Sequence, residues 1–400
     1  MGKYLITVYN NHILTAFYEN NRILTLDFEP IETQSILGNI YVAKVDQVVK
    51  NLNAAFLRYE KDKKAYYPLD CRRPPIYQNE KNTAKMVQGD SVLVQVVTDA
   101  VKTKEPTVTT DLSLTGRYVV LDMAKEQLLN FSKKISDKDF KEAWQKRELP
   151  GRSDERNYGF ILRTNAYNAN AEDVYEEMLT LEAQFSQLIQ FGKMRSCYSK
   201  LYQAPTTYIQ RLRDAYTGIV DEIVTDSEEI YEKLVAELEH YPDIRAKLRK
   251  YEDHLLPLQK LYAVDKYIQE ALSKKVWLKS GGYLIIEQTE ACVVIDVNTG
   301  KYEGRKNTEE AFLLINKEAA KEIAVQMRLR NLSGMILVDF INMQKGENNA
   351  ELMRYFREQT ARDPIPVTVV DMTKLKLVEV TRKKERKPFA QQYRETVQNM

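Results

Sequence analysis

Two stretches of the chain share an unusual construction, VVIDVNTG at residues 293–300 and GMILVDFINM at residues 334–343. Each is a run of apolar, β-forming residues that carries a single aspartate, Asp296 in the first and Asp339 in the second. A carboxylate loses heavily on transfer out of water unless another group pairs with it. Each predicted core strand therefore ends in a carboxylate, which is unfavourable in an apolar core.

The sequence between these two stretches predicts a helix. It opens on a capping box, with Asn307 at the N-cap and Glu310 three residues later. One apolar face repeats at helical spacing through Phe312, Ile315, Ala319, Ile323 and Met327. A strand, a helix and a strand in this order most often place the two strands parallel in one sheet. The preceding segment, GGYLIIEQT, is predicted to form a hairpin with the first strand.

Parallel strands would bring Asp296 and Asp339 to the same edge of the sheet, where α/β folds usually bind ligands. Neighbouring strands are ~4.8 Å apart, so the two carboxylates would repel each other unless a cation lies between them. Magnesium prefers oxygen ligands and completes its coordination with water and phosphate oxygens. Asn298 follows Asp296 by two residues and shares its face of the strand. The pattern predicts hydrolysis of a phosphodiester by a metal-activated water.

Two other interpretations remain open at this point. An aspartate at a strand end often caps the following turn, and two such acids can coincide by chance. Acid and base catalysis of the glycosidase type would use a similar pair, although nothing else in the segment indicates it. The histidines, His12, His240 and His254, lie outside this segment, which argues against a histidine-based hydrolase.

The composition is ordinary for a globular protein. The 400 residues are 44% hydrophobic and 29% charged with a net charge of +2, so nucleic acid would be bound by local patches. Cys71, Cys197 and Cys292 are far apart, which argues against a structural zinc site. Neither a signal peptide nor a membrane span is recognisable, and we expect a cytoplasmic protein.

The first third of the chain alternates apolar and polar residues in short runs, which are separated by turns such as Asn10-Asn11 and Asn20-Asn21. Many short strands without helices between them predict a small barrel or sandwich. From about residue 137 the period changes to that of amphipathic helices.

The last third resembles the catalytic region of the ribonuclease E/G family of bacterial endoribonucleases. The shared motifs are the GGY…TEA…IDVN hairpin, the N-EAA-EIA-Q-RLRNL-G helix and the I-VDFI-M strand, in that order, and the rest of the chain is similar more weakly. The resemblance implies a DNase I-like catalytic domain in which Asp296 and Asp339 hold Mg²⁺ and Asn298 assists. Mn²⁺ is the alternative ion, and zinc is not expected.

The segments GNIYVAKVDQVVKNLNAAFLRYEKDKKAYYPL and GDSVLVQVVTDAVKTKEPTVTT resemble the OB-fold module with which the family grips RNA. Phe56 and Tyr66 fall where family members present aromatic rings, and Lys104 matches a family lysine. Aromatic rings stack on unpaired bases, and a lysine neutralises the RNA backbone. For Phe56 the alternative is a place in the barrel core.

The resemblance also implies a pocket that senses the five-prime monophosphate of RNA, where Arg163 and Thr164 match an arginine–threonine pair. A glycine-containing loop of the family is replaced here by DMAKEQLLNFSKKI, which lacks the glycines that permit close backbone approach. Arg328 and Arg330 are assigned to phosphate contact or to structural pairing. The basic run KLKLVEVTRKKERKPF is assigned to the RNA backbone or to a solvated tail. The resemblance also implies a CPxC motif that shares zinc between subunits; these 400 residues do not contain it, so we expect any homo-oligomer to use another interface.

Taken together, the sequence predicts a multi-domain protein of α/β and β type. An RNase H-like scaffold is assigned to residues 1–35 and 200–272, an OB-fold barrel to 36–115, a five-prime sensor region to 116–199, a DNase I-like α/β domain to 273–388 and a C-terminal tail to 389–400. The predicted function is magnesium-dependent cleavage of single-stranded RNA in ribosomal RNA maturation and messenger RNA turnover. The alternatives are a non-catalytic RNA-binding member of the family, and a metal-dependent DNase or phosphatase on the same catalytic fold.

Overall fold

A computed structural model describes most of the chain. The described residues are 2–31, 35–69, 74–79, 81, 83, 85–100, 105–123, 128–150, 158–214, 220–239, 241–253, 255–300, 308–384 and 386–398. They fall into two compact units, one formed by residues 1–33 with 217–400 and the other by residues 34–216.

The described strands and helices are as follows in chain order. The strands are β1 (Gly2–Tyr9), β2 (His12–Glu19), β3 (Arg22–Pro30), β4 (Ile40–Val49), β5 (Ala54–Arg58), β6 (Lys64–Pro68), β7 (Ser91–Thr98), β8 (Thr107–Thr109), β9 (Ser113–Thr115), β10 (Val119–Asp122), β11 (Leu129–Phe131), β12 (Gly159–Leu162), β13 (Lys200–Tyr202), β14 (Glu222–Thr225), β15 (Leu248–Lys250), β16 (Lys275–Trp277), β17 (Tyr283–Gln288), β18 (Val293–Asn298), β19 (Gly334–Asp339), β20 (Val367–Met372) and β21 (Leu377–Arg382). The helices are α1 (Lys138–Gln145), α2 (Ala171–Met194), α3 (Thr207–Asp214), α4 (Glu228–Glu237), α5 (Pro242–Arg245), α6 (Leu258–Leu261), α7 (Val264–Leu272), α8 (Thr308–Leu329), α9 (Gly346–Thr360) and α10 (Phe389–Gln398).

The first unit contains a mixed sheet in the order β15-β14-β1-β2-β3. The strands β1, β2 and β3 follow one another in the chain and pair antiparallel. Asparagine pairs form both turns, Asn10-Asn11 and Asn20-Asn21, with left-handed φ values between 47° and 60° that suit tight hairpins. The strands β14 and β15 come from much later in the chain and join the sheet in parallel.

A second sheet of the same unit has the order β16-β17-β18-β19-β21-β20. As predicted, β17 and β18 form an antiparallel hairpin, and α8 connects β18 to the parallel strand β19. Alternate residues of these strands are buried with the apolar face of α8 and with α9, and they form one continuous core. The described part of α8 begins at Thr308, so the predicted cap, Asn307, lies outside the described residues.

The stretch assigned from sequence to a C-terminal tail, residues 389–400, contains α10. Phe389 is fully buried in the core of the N-terminal sheet and stacks on Phe28. The side chain of Gln392 accepts a hydrogen bond of 2.9 Å from the backbone N–H of Phe28. This helix is therefore part of the first unit's packing.

In the second unit, strands β4 to β8 close into a barrel, because β4 pairs with both β5 and β7 while β6, β8 and β7 complete the circuit. The barrel has its own core, and its closure is consistent with the predicted OB-like fold. Strands β9 to β12 form a separate small sheet that shares a core with α2. Among the described residues, no helix is both long enough and apolar enough to cross a membrane.

Candidate active site

Asp296 and Asp339 lie directly opposite each other in the parallel pair of β18 and β19. Their neighbours Ile295, Val297 and Val338 point into the core against α8 and α9. Because side chains alternate along a strand, the two aspartates face the opposite, open side of the sheet. Asp296 is exposed and Asp339 is half-buried. The structure therefore brings the two predicted carboxylates together on the face that the helices leave uncovered.

Asn298 belongs to the same group of side chains. Its Nδ2 donates a hydrogen bond of 2.7 Å to Oδ2 of Asp296. Two glycines of the GGY motif shape the adjoining turn, since Gly281 has a φ of 88° and a Cβ on Gly282 would lie 2.8 Å from the carbonyl oxygen of Asn298. The motif thus lets the hairpin backbone lie against the residue that orients Asp296.

The electrostatics of the pair are unfavourable without a cation. Burial, and secondarily the charge of Asp296, raises the pKa of the Asp339 carboxyl above its ordinary value. The ionised form of Asp339 is therefore held at a cost that a positive charge between the two carboxylates would relieve.

Asn316 fixes the backbone that follows Asp339. This side chain of α8 is fully buried, and its amide donates 2.8 Å to the carbonyl of Ile341 and accepts 3.0 Å from the N–H of Ile341. Sequence reasoning missed Asn316, although its position four residues after Phe312 and three before Ala319 puts a polar group on the apolar face of the helix.

A second side chain of α8, Glu309, holds the same loop further along. Its carboxylate accepts 2.6 Å from the N–H of Gln344 and 3.1 Å from Nδ2 of Asn348. The first of these bonds is the main reason that the pKa of Glu309 is lowered. Asn316 and Glu309 both belong to α8, which packs against the sheet. This helix therefore positions the loop that follows Asp339.

The donor set fits a hard divalent cation. Within the described ranges no group of three or more His, Cys, Asp and Glu side chains could hold a metal ion, so protein carboxylates alone would not complete a coordination shell. Magnesium accepts one or two carboxylates and fills its remaining positions with water and phosphate oxygens. The pair of Asp296 and Asp339, with the Asn298 amide beside it, is of this kind.

Sequence comparison shows which known proteins this chain is similar to. A sequence model of the Ribonuclease E/G family matches residues 113–385, more than half of the chain. Ribonuclease G of Salmonella typhimurium is 32% identical over 393 residues, which cover 96% of this chain and 80% of that protein. Ribonuclease G of Escherichia coli is 31% identical with the same coverage. Ribonuclease E of Synechocystis sp. is 30% identical over 387 residues, which cover 95% of this chain and 56% of that protein.

The chain belongs to the ribonuclease E/G family. This membership confirms the resemblance seen in the sequence and the predicted enzyme class, an endoribonuclease of the ribonuclease E/G type. The match reaches well beyond the catalytic motifs, because the ribonuclease G relatives align with nearly the whole chain.

In this member of the ribonuclease E/G family, Phe56 and Tyr66 are opposite each other in the pair of β5 and β6. Their ring centroids are 6.0 Å apart, and both side chains are half-buried. The alternating residues Leu57 and Tyr67 fill the barrel core instead. Phe56 therefore lies outside the core, which removes the alternative left open by the sequence. Lys104 lies outside the described residues.

The candidate sensor residues of this ribonuclease E/G member follow β12. Nη1 of Arg163 donates 2.7 Å to the carbonyl of Gly116, and the hydroxyl of Thr164 shares a hydrogen bond of 3.0 Å with that of Ser132. Sequence reasoning did not single out Ser132, which lies in the segment DMAKEQLLNFSKKI. Residues 124–127 of that segment lie outside the described residues.

Arg330 and Arg328, near the end of α8, have different surroundings. The guanidinium of Arg330 is buried and donates to the side chain of Gln326 and to the carbonyls of Ser273 and Glu270, over 2.6 to 2.9 Å. This arrangement favours structural pairing for Arg330. Arg328 is half-buried, and burial lowers its pKa.

The basic run that follows the catalytic strands is partly structural as well. Arg382 is the last residue of β21, and its guanidinium forms an ion pair of 2.9 Å with Asp363. Both side chains are at most 3% exposed. Lys383 and Lys384, by contrast, are exposed. The segment is therefore not entirely a solvated tail, and not all of its basic residues are available to contact RNA.

Proposed function

We propose that this protein is a divalent-cation-dependent endoribonuclease that cleaves single-stranded RNA. In this proposal Asp296 and Asp339 bind the cation in the active site. The observation that carries the proposal is the direct opposition of these two acids in β18 and β19, on the open face of the sheet. Membership of the ribonuclease E/G family supports RNA as the substrate. Mg²⁺ is the proposed ion and Mn²⁺ the alternative.

The side chains have distinct roles in this proposal. Asn298 orients Asp296 through its hydrogen bond, and the anchored loop after β19 holds Asp339 in register. A bound Mg²⁺ supplies a positive charge that offsets the carboxylate repulsion, lowers the pKa of water and stabilises charge on the phosphate. In the reaction, water would lose a proton to solvent as it attacks the phosphorus, the bond from phosphorus to the three-prime oxygen would break, and that oxygen would take up a proton from solvent. The downstream product keeps a five-prime phosphate.

RNA is proposed to be held by the barrel as well. Phe56 and Tyr66 present a pair of partly exposed rings, which suits stacking on unpaired bases. Lys104 is proposed to neutralise the RNA backbone. Arg163 and Thr164 are proposed to contact a five-prime monophosphate, with the Ser132 hydroxyl beside them.

The finer description of the architecture is also a proposal. The N-terminal strands and β14 with β15 form one sheet although they are far apart in sequence, which supports the RNase H-like assignment. The second sheet, with helices on one face and acids on the other, supports the DNase I-like assignment. Roles in ribosomal RNA maturation and messenger RNA turnover are inferred from family membership alone.

The test uses an unstructured RNA oligonucleotide and its deoxy counterpart, each with Mg²⁺ or with EDTA. The proposal expects cleavage of the RNA only, and only with the metal, because the added hydroxyl is what lets a protein distinguish RNA. Cleavage of the deoxy substrate would support the DNase alternative instead.

A variant separates binding from chemistry. Asp339→Asn should abolish cleavage while RNA is still bound, since the substitution removes a carboxylate and leaves the barrel intact. Full activity in this variant would defeat the proposal. Binding without cleavage by the wild type would support the non-catalytic alternative.

A further inference from the structure

An aromatic cluster continues the open face away from the acid pair. Trp277 of β16 is opposite Tyr283 of β17, which is opposite Asn298 of β18. In the adjacent row, Lys275 is opposite Ile285, which is opposite Asp296. Residues opposite each other in neighbouring strands point to the same face of the sheet. The cluster of Lys275, Trp277 and Tyr283 therefore shares its face with the active site.

The cluster has a defined internal geometry. The ammonium of Lys275 lies 3.9 Å from the ring centroid of Trp277 and 3.7 Å from that of Tyr283. The two rings are 5.3 Å apart at an interplanar angle of 63°. A lysine held over two ring faces keeps its charge next to the aromatic surface.

Trp277 is unusually accessible for its residue type. It is 65% exposed, whereas Trp144, the other tryptophan of the chain, is buried at 4% in the core of the second unit. The core of the second sheet lies on the opposite face, so packing within that core does not account for the position of Trp277. A large exposed ring beside a fixed cation suits a ligand that is flat and anionic.

We propose that Lys275, Trp277 and Tyr283 form a nucleotide-binding subsite of the active face. Trp277 stacks on an unpaired base that flanks the cleaved bond, and Lys275 neutralises a neighbouring phosphate. Trp277 and Asn298 lie in the same row, two strand spacings or ~10 Å apart, so a nucleotide near the scissile phosphate could reach Trp277. This inference rests on the proposed function, because the occupant is the RNA strand that the acids cleave.

The first experiment compares Trp277→Ala and Trp277→Phe by kcat/KM on a single-stranded RNA that is cut at one position. Loss of one base–aromatic stack should lower kcat/KM roughly 5- to 150-fold in Trp277→Ala, and Trp277→Phe should recover much of the loss. Met335→Ala is the matched control, since Met335 is 48% exposed on the open face at the start of β19. Wild-type kcat/KM in Trp277→Ala would overturn the proposal.

A set of substrates with one abasic nucleotide tests the contact itself. Removing the base at one position near the cleavage site should slow the wild type by the same factor as Trp277→Ala. The variant should then cleave the intact and abasic RNAs equally well. If every abasic substrate slows the variant as much as the wild type, Trp277 does not stack on a base.

A binding experiment keeps this inference separate from the proposed chemistry. Acrylamide quenches the fluorescence of exposed tryptophan, and Trp277 is much more accessible than Trp144. Adding the same RNA to Asp339→Asn, or to a wild type that proves inactive, should protect the fluorescence from quenching. Unchanged quenching at saturating RNA would refute the subsite even if cleavage is confirmed.

Discussion

Replacing Asp296 by asparagine should stabilise the metal-free protein, because it removes the charge that faces Asp339. Opposite residues of neighbouring strands are ~4.8 Å apart. Two unit charges at that spacing repel by ~1 kcal/mol in water and by ~3 kcal/mol at an effective dielectric constant of about 20. Since Asp296 is exposed, solvent screening favours the lower value, ~1 kcal/mol.

The gain should depend on pH in a definite direction. Burial and the Asp296 charge raise the pKa of Asp339, so the folded protein binds this proton more tightly than the unfolded chain does. The free energy of unfolding should therefore fall as pH rises from the ordinary carboxyl range through the raised pKa of Asp339. In Asp296→Asn only burial remains as a cause, so the fall should be smaller. At lower pH Asp339 is protonated, so it is no longer repelled by Asp296. The repulsion then no longer contributes to the difference in the free energy of unfolding between the wild type and Asp296→Asn.

Urea unfolding in EDTA and in Mg²⁺ measures both effects. The wild type should gain stability from Mg²⁺, by ~2.7 kcal/mol at one hundred times the dissociation constant, and Asp296→Asn should gain much less. Glu379→Gln is the control, because Glu379 is an exposed acid of β21 on the same face, opposite Leu337 rather than Asp339. The reasoning is refuted if Asp296→Asn is no more stable than the wild type in EDTA and responds equally to Mg²⁺.

Three further predictions concern the supports of the site and the barrel. Asn316→Leu removes both hydrogen bonds to the half-buried backbone of Ile341, so it should lower the free energy of unfolding by ~1–3 kcal/mol and reduce kcat more than it changes KM; a folded variant with normal kcat would contradict this. Gly282→Ala drives a Cβ to 2.8 Å from the carbonyl of Asn298 and should lower kcat, whereas Gly346→Ala, where a Cβ has no neighbour within 4 Å, should not; equal kcat values would be contrary evidence. Phe56→Ala should weaken binding of single-stranded RNA by ~1–3 kcal/mol, which fluorescence anisotropy can measure, and unchanged affinity would count against the barrel's role.

The strands that carry Asp296 and Asp339 were predictable because their signals are local. Alternation of apolar residues around Asp296, the helical repeat of α8 and the glycine at position 334 determine a strand, a helix and a strand. The parallel pairing then follows from the general preference for such crossovers. The sequence alone therefore predicts that the two acids lie side by side.

Other features could not be predicted, because they depend on contacts between residues that are far apart in the sequence. Asn316 interrupts an apolar face, but its target, the backbone of Ile341, is defined only once α8 packs against β19. The alignment of Trp277 with Asn298 needs the register of two successive strand pairs. The packing of α10 depends on contacts with Phe28, which comes from the other end of the chain.

The most direct test of the central claim is anomalous diffraction from crystals soaked in Mn²⁺. The account predicts a strong peak between Asp296 and Asp339, within coordination distance of an oxygen from each carboxylate. The peak should disappear in Asp339→Asn crystals treated in the same way. The account would be contradicted if the enzyme needs the metal for cleavage but the Mn²⁺ peak lies elsewhere and none lies between these two carboxylates.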